Sequence, residues 1–599
     1  MPSTRPAKRI VQSGRALNLK LKTHLQTAAA LWHNHPSSPA LWGPRLFHWL
    51  EHSHLRFAQA TDRIEPAIFF SILALMLIWI LGTWNISPNP DAYYHMGVAA
   101  SYMAAWVNDQ WLRLFPMLPF TILAADPFPN AYLLQHLLLS GLTRVLPADQ
   151  ALFAGMGLTG FALIASLYLV LRGCQVRGAI FWAQLGWLAS PSLFTYTLFL
   201  KGASVFLILT VWLINALIRK RNLHIFLISL AIGYSYVAAY LIIPIAACFT
   251  LAALLYERRW QWQPVAITTG AYLLATLINP GFPSNIQLIL LEFGHALNFP
   301  GDRAAGIWIG AEWSHISLHS LVQSLGFALG PWLLLTLLLP FKGPVLYRLG
   351  SCLTLSIFSL AIAFYAGSKG IALAAILMSL ALPIALQELN GRPWTVWATA
   401  LWLLAIVSLV QPQIMQFKSD RPSFIHQAAY MARQANAHAG DNRVILAGWS
   451  DFPWLLYFNP RNYYVAGMNL LFLQASPERL HAYQKLLSGQ IKHPEILIPR
   501  CFYADLVITD RQQRPIRPSL YQQLRQNPFF TELQLEHPMP RAFFLLDRTK
   551  VEPELARFST LQSTTQTEAT AEPANSRSTL PACSEPDPAH ATPATPATP

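Results

Sequence analysis

The feature that most constrains this chain is a series of apolar runs, each about as long as a bilayer crossing, which takes roughly 20 mainly apolar residues. The first begins near Pro66. Others follow at 151–171, 178–198, 203–218, 223–240, 241–256, 264–279, 321–340, 349–366, 370–387 and 394–412, which makes eleven. So much unbroken apolar length excludes a purely soluble or a disordered protein and reads as a polytopic α-helical membrane protein. Charge follows the same division. Residues 1–65 carry nine Lys/Arg against three Asp/Glu, whereas 66–412 carry only 24 charged residues, about 7% where soluble domains hold about 25%. The formal net charge of +14 therefore belongs to the N-terminal segment and the loops between runs, and nucleic-acid binding is not implied.

Loop charge sets the orientation. No small-residue cleavage site follows the first run, so it is expected to act as a signal anchor. The stretch 131–146 is apolar but short. If it crossed the membrane, Arg172 and Arg177 would fall outside and every later loop would invert, so it reads as a re-entrant or interfacial helix. The basic loops at Arg172/Arg177, Arg219/Lys220/Arg221, Arg258/Arg259 and Lys342/Arg348 then share the side of the basic N-terminus, as the positive-inside rule requires. The expectation is an N-in, C-out protein of about eleven spans in a bacterial inner (plasma) membrane. Residues 1–65 form a basic cytoplasmic segment whose Trp32, Trp42 and Trp49 suit the inner leaflet. Residues 66–412 form the membrane domain, with outer loops at 88–150 and 280–320.

From 413 the periodicity changes. Helical patterns at 423–438, 477–488 and 518–526 alternate with strand patterns at 443–449, 462–467, 504–510, 530–536 and 541–547, which reads as a small extracytoplasmic α/β domain over 413–550. Residues 551–599 turn to Ser, Thr, Pro, Ala and Glu and end in ATPATPATP, a composition that cannot bury a core, so a disordered tail is expected. Five scattered cysteines with no CxxC exclude a disulfide framework or a zinc ribbon, although Cys501 and Cys583 share the outer side and can pair.

Candidate chemistry gathers on the outer side. The first outer loop opens SPNPDAYYHM, with Asn89 able to cap a helix, Pro90 at its first position and Asp91 in its first turn. Asp91 and His95 are four residues apart on one helix face, so a carboxylate beside an imidazole can bind a divalent ion or take a proton from an acceptor. An aspartate there also simply complements the helix dipole. Further along the loop are Arg113, Asp126 and His136 among aromatic and proline residues; a long loop of this kind is more often functional than structural, though Asp126 before Pro127 also forms turns. Lys369, in AFYAGSKGIALAA, and Arg303 lie at outer ends too, where a cation can meet a lipid phosphate or merely snorkel to the headgroups. Glu312, His315 and His319, in GIWIGAEWSHISLH, have a metal-like spacing but not the HExxH order of metalloproteases.

This layout resembles the C-superfamily of membrane glycosyltransferases, and within it the oligosaccharyltransferase catalytic subunits, over roughly residues 66–550. The resemblance rests on the first span, the Asp-Ala-Tyr-Tyr-His motif at 91–95, the long loop with its interfacial helix, the many later spans and the outer α/β domain. It implies that Asp91 lies in the catalytic centre, as base or as ligand to Mg²⁺ or Mn²⁺, and that Glu312 reaches back to it. It also implies that Trp449, Ser450 and Asp451, in GWSDFPWLLYF, stand for the family's Trp-Trp-Asp acceptor motif, with serine for the middle tryptophan. Trp449 and Asp451 equally suit a packing residue and a helix cap. The family's second acidic motif is replaced here by TYTLFLKGASVF, where Lys201 stands and no carboxylate does. A lysine suits a phosphate oxygen better than it suits a metal.

The expected function is transfer of a sugar or oligosaccharide from a polyprenyl-linked donor at the outer face. Asp91 and Glu312 are catalytic, Lys201, Lys369 and Arg113 hold donor phosphate, and Trp449 and Asp451 hold the acceptor, with His95, Asp126 and His315 as further candidates. The partners are the lipid-linked donor and membrane lipid. The alternative is a lipid-linked glycan transporter or flippase, or a non-catalytic component of an envelope polysaccharide assembly. Charges sit at run ends rather than mid-run and no GxxxxGK[ST] loop is present, which disfavours an ion-coupled or ATP-driven carrier.

Overall fold

The computed structural model describes residues 70, 71, 73, 74, 90–106, 117–176, 179–188, 193, 196, 200–304, 357, 358, 361, 368–388, 421–467, 469–511, 519–537, 539–556 and 583. All lie in one compact unit, Glu65–Gly391 with Ala398–Pro599. The basic N-terminal segment, most of the first apolar run and of the run at 349–366, and the runs at 321–340 and 394–412 fall outside the described residues.

The helical region contains α1 (Pro90–Trp106), α2 (Leu133–Thr143), α3 (Ala148–Gly173), α4 (Ala179–Leu188), α5 (Ser204–Ile218), α6 (Asn222–Gly233), α7 (Ile242–Ala252), α8 (Gln263–Leu277), α9 (Ser284–Ala304) and α10 (Ser368–Glu388). Among the described residues α3, with 26 residues, is the one helix both long and apolar enough to cross a membrane by length and composition; α2, α5, α6 and the 239–255 stretch are shorter apolar helices. Residues 370–384 of α10 are buried on every side, as a helix without a polar face should be. It meets α4 where Ser379 Oγ donates to the Gly186 carbonyl at 3.2 Å.

The helix ends sort into two groups. At one end Gly173, closing α3, lies so close to the Arg219 guanidinium that an added Cβ would sit 2.2 Å from its Nη2, and Lys220 reaches Glu257 at 3.0 Å. The ends bearing Arg172, Arg219–Arg221 and Arg258 are thus neighbours, as loop charge requires. At the other end Leu134 N donates to the Tyr234 carbonyl at 2.8 Å, Gln135 Nε2 to the Leu200 carbonyl at 3.3 Å, and an added Cβ on Gly281 would lie 2.7 Å from the Phe128 carbonyl oxygen. α2 spans only about 16 Å at 1.5 Å per residue. It begins at this second end, and α3 leaves from the same end.

The C-terminal domain contains α11 (Arg421–Ala439), β1 (Val444–Leu446), α12 (Phe452–Phe458), β2 (Tyr463–Tyr464), α13 (Pro477–Leu487), α14 (Pro494–Phe502), β3 (Ala504–Asp510), α15 (Leu520–Gln526), β4 (Phe530–Glu532) and β5 (Arg541–Leu546). Strand order is β2-β1-β3-β5-β4, parallel across β2, β1 and β3, antiparallel for β3 with β5 and β5 with β4. β3 is buried along most of its length, and its residues Ala504 and Val507 join Leu446, Phe502 and Phe544 in the core. All five strand patterns and the three helical ones are found. α14 is not among them, because Pro499 inside ILIPRCF reads as a breaker.

The chain past 550 does not leave the domain at once. Residues 548–556 are helical, with Val551 buried in the core and Leu555, one turn on, packed against it. The cysteines make no framework, yet Cys501 and Cys583 are joined in a disulfide across 82 positions, and Cys583 packs on the same core. Breaking this link with Cys583→Ser is expected to cost about 2–4 kcal/mol by freeing the unfolded chain. The check is thermal unfolding of the full chain: reduction should lower the midpoint of wild type and leave that of the variant where it is.

Candidate functional site

Everything at the second end of the helical region is organised by α1. Asp91, His95 and Ala99 are four residues apart and form one face; Tyr93 and Gly97 form another. The second face packs on α12 of the C-terminal domain. The Tyr93 ring lies 4.3 Å from that of Trp454 and 5.0 Å from that of Tyr457, and a Cβ at Gly97 would fall 2.9 Å from Leu456 Cγ. Tyr457 also donates its hydroxyl hydrogen to Asp149 at the start of α3. The first face packs on α2, where Ser140 Oγ donates to the Ala99 carbonyl at 2.6 Å.

Asp91 is met by Lys201. Its Oδ2 lies 3.8 Å from the Lys201 Nζ, and the two side chains remain 21% and 16% exposed, open enough to meet a ligand. The turn that presents Lys201 is held from several directions. Leu200 is left-handed at φ 49°, and its carbonyl accepts from Gln135. Ser204 Oγ lies 2.7 Å from the carbonyl oxygens of both Tyr196 and Lys201. Gly202 has no room for a side chain, since a Cβ would come within 2.3 Å of the Tyr132 ring. The ammonium itself sits 5.0 Å from the centre of the Tyr196 ring, in cation–π contact. This is a fixed lysine rather than one reaching loosely to headgroups.

One turn along α1, His95 enters a fully buried chain of polar groups. The Asn130 Oδ1 accepts from Tyr132 N at 2.9 Å, which fixes the amide, and so receives Nδ1–H from His136 at 2.9 Å. His136 Nε2 must then accept from His95 Nδ1 at 2.8 Å, leaving a buried lone pair on His95 Nε2. Burial holds His95 neutral, pushing its pKa down to about 3; burial, then the neighbouring His95, lowers that of His136 well below the ordinary value. Two neutral imidazoles this close need one tautomer each, and the Asn130 amide selects them.

Of the other predicted residues, Asp126 is exposed in the turn before Pro127. Asp451 ends the turn after β1 and is 7% exposed; its carboxylate is held by Arg541, Nη2 at 2.9 Å and Nε at 3.0 Å, while Arg541 also reaches Asp510 at 2.7 Å. Burial pushes the Asp451 pKa up, and Arg541 opposes it. Trp449 packs against the core of the same domain. Arg113, Glu312, His315 and His319 lie outside the described residues, as do the side chains of Lys369, at the start of α10, and Arg303, near the end of α9. The sequence reading missed Asn130, Tyr132 and Gly202, whose roles come from contacts distant along the chain, and Glu292. On α9 the buried positions are Ser284, Asn285, Leu288, Glu292 and His295, whereas Leu290 and Phe293 are exposed. Glu292 Oε1 accepts from Asn469 of the C-terminal domain at 3.2 Å. Marking polar as well as apolar residues at helical spacing is the signal that would have found it.

The described residues do not fit the divalent ion that the family resemblance implies. Such an ion takes six or more oxygen ligands, mostly carboxylates, carbonyls and water. Among the described residues no three His, Cys, Asp or Glu side chains are placed to hold one. Asp91 faces an ammonium, and a 2+ ion about 4 Å from a unit positive charge is repelled by roughly 8 kcal/mol at an effective dielectric near 20.

The chain was compared with known proteins. No family model and no curated protein matches it. Among solved structures it is similar to the archaeal oligosaccharyltransferase AglB from Archaeoglobus fulgidus in complex with an inhibitory peptide and a dolichol-phosphate, with a TM-score of 0.50, 12% identity, and coverage of 75% of this chain and 70% of that one. The apo form of the Archaeoglobus fulgidus enzyme aligns at 0.50 and 12%, over 74% and 69%. The arabinofuranosyltransferase AftD from Mycobacteria aligns at 0.51 and 15%, over 81% of this chain and 41% of that one. The chain shares the fold of these structures. This chain therefore spans less than half the length of AftD.

Since Asp451 is largely buried against one arginine, removing Arg541 strands a carboxylate and should cost about 3–5 kcal/mol, whereas removing both charges should cost far less. Arg541→Met is thus expected to destabilise the domain strongly and Asp451→Asn/Arg541→Met to recover most of the loss, read by thermal unfolding of the full chain.

Proposed function

We propose that this chain is a membrane glycosyltransferase that moves a sugar or oligosaccharide from a polyprenyl phosphate or pyrophosphate donor to an acceptor at the outer face of the membrane. The observation that carries the reading is the Asp91–Lys201 pair, partly open and set at the loop end of a fold shared with an oligosaccharyltransferase and an arabinofuranosyltransferase. The AglB complex with a dolichol-phosphate supports a lipid-linked donor.

The chemistry uses this chain's own groups. An acceptor O–H or N–H gives its proton to the Asp91 carboxylate as its heavy atom bonds to the anomeric carbon. The bond from that carbon to the phosphate oxygen breaks, and the oxygen leaves with the electron pair. Lys201, 3.8 Å from the Asp91 carboxylate, exchanges a carboxylate that is being neutralised for a phosphate that is gaining charge. The cation stays paired throughout. The aromatic cluster of Tyr93, Trp454 and Tyr457 keeps water from the back of α1. The role of Glu312 remains the one that the family resemblance implies, and those of Arg113 and Lys369 follow from cations expected at outer ends, where a donor phosphate would lie.

Two observations support an outward-facing site in a plasma (inner) membrane. A disulfide within the C-terminal domain belongs on an oxidising side. The ends bearing Arg219, Lys220 and Arg258 lie opposite the candidate site, as the positive-inside rule demands.

The test is mass spectrometry of lipid-linked sugars and envelope glycans in cells that carry wild type, Asp91→Asn or a deletion. Loss of a general base is expected to slow transfer by at least about 100-fold. A donor should then accumulate and a glycan disappear in both altered strains, with the variant still inserted. A variant that keeps wild-type glycans would overturn the assignment of Asp91, and would move a carrier or scaffold role ahead.

A further inference from the structure

We propose that the Lys201 ammonium stands where a divalent cation would otherwise sit, so that this site handles a phosphate-linked ligand with no bound metal. The phosphate half of this statement rests on the glycosyltransferase reading; the metal half rests on geometry alone.

Three features of the structure carry it. The ammonium is already placed beside the carboxylate as its counter-charge, with Nζ 3.8 Å from Asp91 Oδ2, so a divalent ion bound to Asp91 would meet a positive charge. It is also built in rather than incidental. The turn around it is fixed by the Gln135 bond to the Leu200 carbonyl, by the two carbonyls within reach of Ser204 Oγ, and by Gly202 pressed on the Tyr132 ring. A lysine that only snorkelled would need none of these restraints. Finally, its surroundings suit a monovalent cation. The face of Tyr196 at 5.0 Å supplies negative potential without supplying an oxygen ligand, which a hard divalent ion requires.

An ammonium in this place offers three donors. It can turn toward a phosphate oxygen while its charge stays beside Asp91, as a point charge that needs no fixed geometry. A single lysine can therefore serve both as the counter-ion of the base and as the clamp on the leaving group.

The experiment uses the purified full-length chain in lipid nanodiscs and two probes, Mn²⁺ alone and a polyprenyl monophosphate. Mn²⁺ binding is followed by electron paramagnetic resonance in wild type and Asp91→Asn, and the two isotherms are expected to coincide. Binding of the polyprenyl monophosphate is expected to be unchanged by EDTA, weakened about tenfold or more by Lys201→Gln, and largely restored by Lys201→Arg. A saturable Mn²⁺ site in wild type that Asp91→Asn removes overturns the proposal and leaves the transferase reading standing. So does loss of phosphate binding in EDTA. Phosphate binding that ignores both EDTA and Lys201→Gln overturns the role of Lys201 as the replacing cation, and removes the donor-phosphate assignment with it.

Discussion

A half-buried carboxylate must have a counter-charge, and in this protein the answer to that requirement shapes the site. Asp91 opens a helix whose first turn favours an anion, but the helix dipole is a weak partner compared with an ammionium-sized charge at 3.8 Å. The lysine that answers it comes from about a hundred positions away, on a turn that must be strained at Leu200 and bare at Gly202 to deliver it. The pair ties the first loop to the start of α5. Neither element alone would have a reason to hold its charge in place.

The same helix carries the connection to the C-terminal domain. Because α1 turns 100° per residue, Asp91, His95 and Ala99 look toward α2 and the Lys201 turn while Tyr93 and Gly97 look toward α12. The glycine matters at this crossing, since Leu456 occupies the volume a side chain would need. The helix is therefore clamped between two bodies, and the direction of its catalytic candidate is fixed by packing on the opposite side. The buried His95–His136–Asn130 chain adds a polar constraint to an otherwise apolar and aromatic seam. A shift of either imidazole would leave a buried nitrogen in the wrong protonation state, so the seam specifies one register.

The parts legible in the sequence were those written in local pattern. Pro90 and Asp91 announced the start of α1; the loop charges announced which helix ends are neighbours; alternating periods announced the strands of the C-terminal sheet. Asp91, His95 and Lys201 could be singled out one by one, but nothing in their spacing paired Asp91 with Lys201. Asp451 shows the limit more sharply. Beside Trp449 it looks like a recognition motif, while in space it is bound to an arginine 90 positions later, at the start of β5. α14 was hidden because a proline within a short apolar run weighs against a helix, whereas here Pro499 is tolerated in the buried segment that leads into β3. The Cys501–Cys583 link was one open pairing among the cysteines until the fold brought the two together.

α9 turns the usual logic of a helix around. Its interior face carries Ser284, Asn285, Glu292 and His295 beside Leu288, and its outer face carries Leu290 and Phe293. In water such a helix would gain by rolling over, because its oily side is wetted and its polar side is dry. It is stable as placed only if the medium outside it is oilier than the one within. The orientation of Glu292 toward the C-terminal domain is then conditional on solvent as much as on sequence: under the membrane location proposed above, an apolar surrounding would act as a missing layer of the core, and the same chain moved to a bare aqueous setting would lose the reason for keeping that carboxylate inside.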